Sequence, residues 1–422
     1  MSSKSMEKFW SIKNGEIALT AQLCFCCAFI WLIAGGILGV CLRSFFIFNW
    51  ELPYLNWRHA HSHIMFLGWG FTGIVSLLFL FMNQANVLQK KTLNISFWVM
   101  QTAILGMLYA FPRQGYSTMS ITYSTIHLVG MGVFLVVWWR IIDRSLLEKQ
   151  VFLSLAWALF FLILSSIAPI ALVIIKVKGL AGSPIYHLAV EWYLHFHYNG
   201  WFIFALLALY LNRFKPGFGN AHVTKTIFSL ALGCILSFGT NTGEKLNTDL
   251  GFGLGILGNI LQWYGMILLV NQTYKLTIIT KNYLSRLLFG LFTFSIVIKF
   301  ILQGIASIPP IARFAISSTS LTIGYLHLIF LGGLTSFLMA SAIENGWLKV
   351  FKHHQTILFA IWALGICGMV VILFAQAFLS IPNIQWWLLG FSTIIVLIVA
   401  YLGISTIFIN AKSKLTTYNL VQ

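Results

Sequence analysis

The sequence predicts an all-α polytopic membrane protein with about twelve transmembrane helices, and three observations carry that expectation. Hydrophobic residues make up 59% of the 422 positions, charged residues only 8%, and the mean hydropathy is +0.88. A soluble domain would carry about 25% charged residues. The apolar residues gather into runs long enough to cross about 30 Å of hydrocarbon, which takes about 20 helical residues. The Lys and Arg residues alternate in density from one connection to the next, as expected when positive charge is concentrated on the cytoplasmic side.

The expected spans are 15–42, 60–82, 93–112, 119–141, 151–176, 191–212, 225–243, 250–271, 285–305, 317–342, 355–379 and 385–409. Connections are short and no segment reads as a separate soluble domain. Residues 1–422 are therefore expected to form one membrane domain with cytoplasmic tails at 1–14 and 410–422. The first run follows Lys4, Lys8 and Lys13, is too long for a signal-peptide core, and precedes no small-residue cleavage site, so it reads as a retained span. Outside the spans, Lys and Arg concentrate at the termini and after even-numbered spans. The opposite side has only Arg43, Arg58, Arg113, Lys176, Lys178, Lys245 and Arg313. Both termini are thereby assigned to the cytoplasm, and the short loops suit a bacterial inner membrane. The net charge of +17 reads as these orienting cations and not as a nucleic-acid surface. Gly251 to Gly258 in the eighth span reads as close helix packing. No internal repeat is apparent, and with it no sign of the inverted repeats of a transporter.

Cys24, Cys26, Cys27, Cys41, Cys234 and Cys367 all lie within or beside apolar runs. Cys24 and Cys27 have C-x-x-C spacing, but Ala28 follows where covalent haem attachment needs a histidine, and no second pair completes a zinc site. They read as buried small hydrophobes.

The histidines carry the chemistry. His59, His61 and His63 open an apolar run with no charge until Lys90. Lipid offers an imidazole no partner, so an intramembrane histidine is costly and points to function. His61 falls in span two, His127 in span four, His195 and His197 in span six, and His327 in span ten. All are even-numbered spans, and all lie in the outer half or near the middle. His187, His222, His353 and His354 fall in loops. At about 100° per helical residue His59 and His63 share a face, and His61 points away by about 200°. Two arrangements stay open: His61 alone as an axial haem ligand, or His59 with His63 as an i, i+4 metal pair. A b-type haem needs axial imidazoles, small residues beside the macrocycle and cations near its propionates. Gly68 and Gly70 lie about two turns below His61, and Arg58, Arg113, Lys245 and Arg313 lie at the outer ends.

The stretch from His61 through Ser62-His63-Ile64-Met65-Phe66-Leu67 to Gly68 resembles the second-helix motif of subunit I of the haem–copper oxidases. The stretch from His327 through Leu328-Ile329-Phe330-Leu331 to Gly333 is similar to that group's tenth-helix motif. The resemblance implies a low-spin haem b with His61 and His327 as its bis-imidazole ligands, in a twelve-helix subunit with inside termini. Glu191 to Trp201 is similar to the sixth-helix motif of the nitric oxide reductase and C-family oxidase branches, which implies a metal-binding role for His195. Where the group's seventh helix supplies two further ligands, Val223 to Asn241 has no histidine, and Tyr325 stands where the high-spin haem's proximal ligand is expected. Arg58-His59-Ala60-His61, with His327 and Leu331 to Thr335, also resembles the nitric-oxide-response membrane haem proteins.

These resemblances imply a haem-b electron-transfer or redox protein with an incomplete binuclear site. Two other functions are weighed beside it. One is an active terminal oxidase or nitric oxide reductase whose second haem or copper is held by His127, His195 and His197, since neutral imidazoles suit copper, zinc or iron. The other is a proton-coupled transporter without haem, for which Glu191, Lys299 and Gln303 are the intramembrane polar groups. Lipid is the expected surroundings, a cytochrome or quinol the expected electron donor, and small oxidase-type subunits the expected partners.

Overall fold

A computed structural model describes residues 12–13, 16–17, 19–82, 85–214, 220–277, 282–348 and 353–419. Most of the expected tail at 1–14, including Lys4 and Lys8, lies outside the described residues. Among the described residues twelve helices are long and apolar enough to cross a membrane. They are Ala21–Phe48, Tyr54–Phe81, Val87–Gln114, Thr118–Ile141, Lys149–Val177, Pro184–Phe214, His222–Leu246, Asp249–Asn271, Tyr283–Ile305, Thr319–Glu344, Thr356–Ala375 and Ile384–Thr406, numbered here as spans one to twelve. The protein is thus an all-helical integral membrane protein, and the many large apolar side chains left exposed on its helices are suited to lipid contact.

The first span starts later than hydropathy suggests. Glu16–Ile17 pairs antiparallel with Ile12–Lys13, and the helix begins only after Thr20, whose hydroxyl accepts from the Leu23 N–H at 3.1 Å. Satisfying an orphan amide of the first turn fixes the start there. The shift carries Arg43 into the helix. Span two, by contrast, starts early, at Tyr54, so Arg58 and His59 are helical. The helix of span twelve runs on to Asn419, through residues expected as a tail.

The chain divides into two compact units. The first comprises Met1–Asp143, Ser341–Gly365 and Pro382–Gln422. Within it span one packs on spans two and twelve, and span three on span four. Its core joins Leu38, Ala60, Ile64, Leu67, Ile104, Met107 and Phe111, with Trp31 packed against them. The second unit comprises Arg144–Ala340 and Ile366–Ile381. There spans seven and eight meet through glycines: a Cβ on Gly239 would lie 2.6 Å from the Gly251 carbonyl oxygen, and one on Gly243 2.7 Å from the Phe252 nitrogen. The glycines expected to serve close packing do so.

Spans two, six and ten stand apart from the rest. Their most apolar stretches are 83%, 89% and 89% buried, whereas no other span exceeds 56%. Each is interrupted by an eight-residue π-helical stretch: Ile64–Phe71, His195–Phe202 and Leu328–Thr335. Thr72 and Thr335 turn their hydroxyls onto the carbonyls five residues back, Leu67 and Phe330, at 3.0 and 2.8 Å. Such wide turns are rare and concentrate at functional sites.

The three stretches share a register that makes the chain a repeat after all. His63, His195 and His327 are evenly spaced, 132 residues apart in each case (63 to 195, 195 to 327), and so are Gly68, Gly200 and Gly332. The six residues His63 to Gly68 match His327 to Gly332 at His, Phe, Leu and Gly. Each glycine admits a side chain of the span before it. A Cβ on Gly68 would lie 2.8 Å from Trp31 Cγ, one on Gly200 2.5 Å from Phe161 Cγ, and one on Gly332 would collide with Ser295 Oγ. Twelve spans thus fall into three successive sets of four, each with its second span buried and π-interrupted.

Candidate functional site

The histidines of spans two, six and ten lie in or just before the π-helical stretches, and hydrogen bonding determines which nitrogen each presents. In the first unit His61 Nδ1 lies 2.8 Å from the Gly35 carbonyl of span one, and His63 Nδ1 lies 2.9 Å from the carbonyl of His59. A carbonyl only accepts, so each Nδ1 must donate, and the lone pair of each ring resides on Nε2. In the second unit His327 Nδ1 donates to the Ile323 carbonyl at 2.7 Å, with the same consequence. His63 and His327 therefore share one arrangement: each donates to the carbonyl four residues back and adjoins the first residue of a π-helical stretch. A donor Nδ1 fixed on a carbonyl is how a metal-binding imidazole is oriented and its tautomer set.

Span six differs between its two histidines. His195 donates from Nε2 to the Cys234 carbonyl at 2.9 Å, which leaves Nδ1 to accept from Asn199 Nδ2 at 3.3 Å. Both of its nitrogens are committed to protein. His197 is the reverse case. The Ser165 hydroxyl gives its proton to the Leu162 carbonyl at 2.9 Å, so at 3.3 Å it receives one from His197 Nδ1. The buried His197 Nε2 has no hydrogen-bond partner among the described residues. The sequence expectation falls on His195, yet the imidazole of span six with an uncommitted nitrogen among the described residues is His197.

The remaining expected site residues have identifiable surroundings. His127 is buried in span four with its ring edge-on to Phe71. His59 and His63 pack together on Phe111 and Tyr116, with His63 stacked on Phe111 at 4.2 Å. Arg58 is half-buried in the first turns of span two. Arg313 donates to Asn247 Oδ1 at 3.3 Å and so braces the left-handed turn between spans seven and eight. Gly68 is filled by Trp31, whose indole donates to Gln101 Oε1 at 2.7 Å. A cation that sequence reasoning left outside the membrane, Arg43, is half-buried in span one within electrostatic reach of His61. No group of three or more His, Cys, Asp or Glu residues placed to hold a metal ion occurs among the described residues.

The second unit also contains a polar interior that the histidine pattern does not reveal. Lys299 is fully buried, and its Nζ has no hydrogen-bond partner among the described residues. It lies 3.9 Å from the centroid of the Phe300 ring. A cation–π contact contributes at most about 2 kcal/mol, whereas removing an ammonium from water costs several; the ring does not compensate the charge. Tyr325 donates to Gln303 Oε1 at 3.3 Å and meets Tyr198 edge-on. Near the start of span six Glu191 is held by Lys245 at 3.4 Å and by Asn241 Nδ2 at 2.8 Å.

No family model matches the chain, and no curated protein is significantly similar to it.

Proposed function

We propose that the chain is a membrane haem-b redox protein of the haem–copper oxidase subunit I group, with His61 and His327 as its axial imidazoles. The observation that supports this most is the fixed tautomer. Both rings spend Nδ1 on a main-chain carbonyl, so the nitrogen that ligates iron, Nε2, bears the lone pair. Each imidazole thus carries its lone pair on the nitrogen that would ligate a haem iron. When bound, a bis-imidazole haem has both axial positions filled and carries electrons rather than binding oxygen. Gly35 and Ile323 hold the rings by their carbonyls, and Arg43 supplies positive charge near His61. In this reading both termini face the cytoplasm of a bacterial inner membrane, and a cytochrome or quinol delivers the electrons.

A second reading concerns span two alone. His63, not His61, stands in the repeat register of His327 and copies its hydrogen bond. It is therefore the competing ligand from that span. The purified full-length protein tests the function. A reduced-minus-oxidised spectrum with a sharp b-type band, unchanged by carbon monoxide, is the expected result. Protein without haem, or with a haem that binds carbon monoxide, contradicts it.

A further inference from the structure

We propose that Lys299 and Ser295 form a binding site for one small monovalent anion inside the second unit, an assignment that does not depend on the haem reading. Lys299 is fully buried in span nine and Ser295 is 1% exposed. Neither Lys299 Nζ nor Ser295 Oγ has a hydrogen-bond partner among the described residues. Residues four apart on a helix are neighbours on one face, with Cβ atoms about 5–6 Å apart. Ser295 looks towards span ten, where its Oγ reaches the bare Cα of Gly332, and a turn beyond Lys299 the side chain of Gln303 accepts from Tyr325 of the same span.

The groups around Lys299 do not neutralise it. Those acting on it electrostatically are Cys234 and His195, and the His195 Nε2–H is already given to the Cys234 carbonyl. Glu191 is engaged by Lys245 and Asn241. What remains is a buried amine that offers three donors when protonated and a hydroxyl that offers one, four residues apart on one helix, in a region where an uncompensated charge is expensive. The complement of that set is a single negative charge that accepts several hydrogen bonds. One anion balances one lysine, which favours a monovalent species over a divalent one. The Phe300 ring against Nζ limits its size, so chloride, nitrate and formate are the fitting chemistries.

The test uses the purified full-length protein in detergent, kept in sodium gluconate. Thermal unfolding is followed as nitrate, formate or chloride is titrated in at constant ionic strength. The expected result is a saturable rise in unfolding temperature with at least one of the three. Lys299→Met abolishes that response, and Ser295→Ala weakens the apparent affinity by about tenfold, the equivalent of one hydrogen bond to a charged group. Haem content, measured in parallel, stays as in the unaltered protein. Should Lys299→Met fail to fold, Ser295→Ala carries the comparison. A linear or absent response in the unaltered protein overturns the proposal, and so does a saturable response that both variants retain.

Discussion

Gly68→Ala examines how closely the π-interrupted spans are fitted to their neighbours. An added Cβ would lie 2.8 Å from both Cβ and Cγ of Trp31 and 3.3 Å from its Cδ1. Ordinary carbon contacts are about 3.5–4.0 Å, so the indole or the helix must retreat by roughly 1 Å. The indole is not free to do so, because Nε1 is anchored to Gln101 at 2.7 Å. Overpacking of this kind costs about 1–3 kcal/mol, and a lost anchor adds about 1 kcal/mol. The intrinsic preference of a helix for Ala over Gly returns at most about 1 kcal/mol. The net expectation is a loss of about 1–3 kcal/mol, read as a lower unfolding temperature of the detergent-solubilised protein. Gly132→Ala is the control, since nothing lies within 4 Å of its added Cβ; it should be neutral or slightly stabilising. In a Trp31→Gly background, which removes both the Cβ and the Cγ that the new methyl meets, Gly68→Ala should lose its cost. Equal effects at Gly68 and Gly132, or the same cost with and without Trp31, would refute the packing argument.

Gln101→Leu removes the acceptor of the Trp31 indole and should destabilise the protein by about 1–3 kcal/mol in the same unfolding assay. His195→Phe breaks two buried hydrogen bonds and should cost more stability than His197→Phe, which breaks one, in the same unfolding assay; the reverse order would contradict the hydrogen bonding assigned to the two rings. Lys245→Met removes a partly exposed ion pair with Glu191, whose side chains are 22% and 20% accessible. It should change stability by no more than about 1 kcal/mol, a small effect that unfolding at low and high salt would measure.

The span plan was legible because it rests on composition and length alone. An apolar run of about 20 residues has few other uses, and all twelve expected runs coincide with helices. The start of span one was not legible, because hydropathy does not register the Thr20 cap or the pairing of Ile12–Lys13 with Glu16–Ile17. The repeat was present in the sequence but masked. His195-Phe196-His197-Tyr198-Asn199-Gly200 shares only its ends with the other two copies, and the even spacing of histidine and glycine is the signal that finds it. The wide turns were hidden for a different reason. A face count at 100° per residue assumes a regular α-helix, and from Ile64, His195 and Leu328 onward that assumption fails. The distinction between His195 and His197 lay outside the sequence altogether, because Cys234 and Ser165, which set their tautomers, come from other spans.

Ligand substitution is the most direct test of the central claim. Low-spin haem should be quantified spectroscopically in purified His61→Ala, His63→Ala and His327→Ala proteins, each shown to be folded by its unfolding transition. The account predicts that His327→Ala and His61→Ala each abolish the low-spin b-type signal while His63→Ala preserves it; loss with His63→Ala in place of His61→Ala would transfer the span-two ligand to the residue in register with His327. A full signal in His327→Ala, or in both span-two variants, would contradict it.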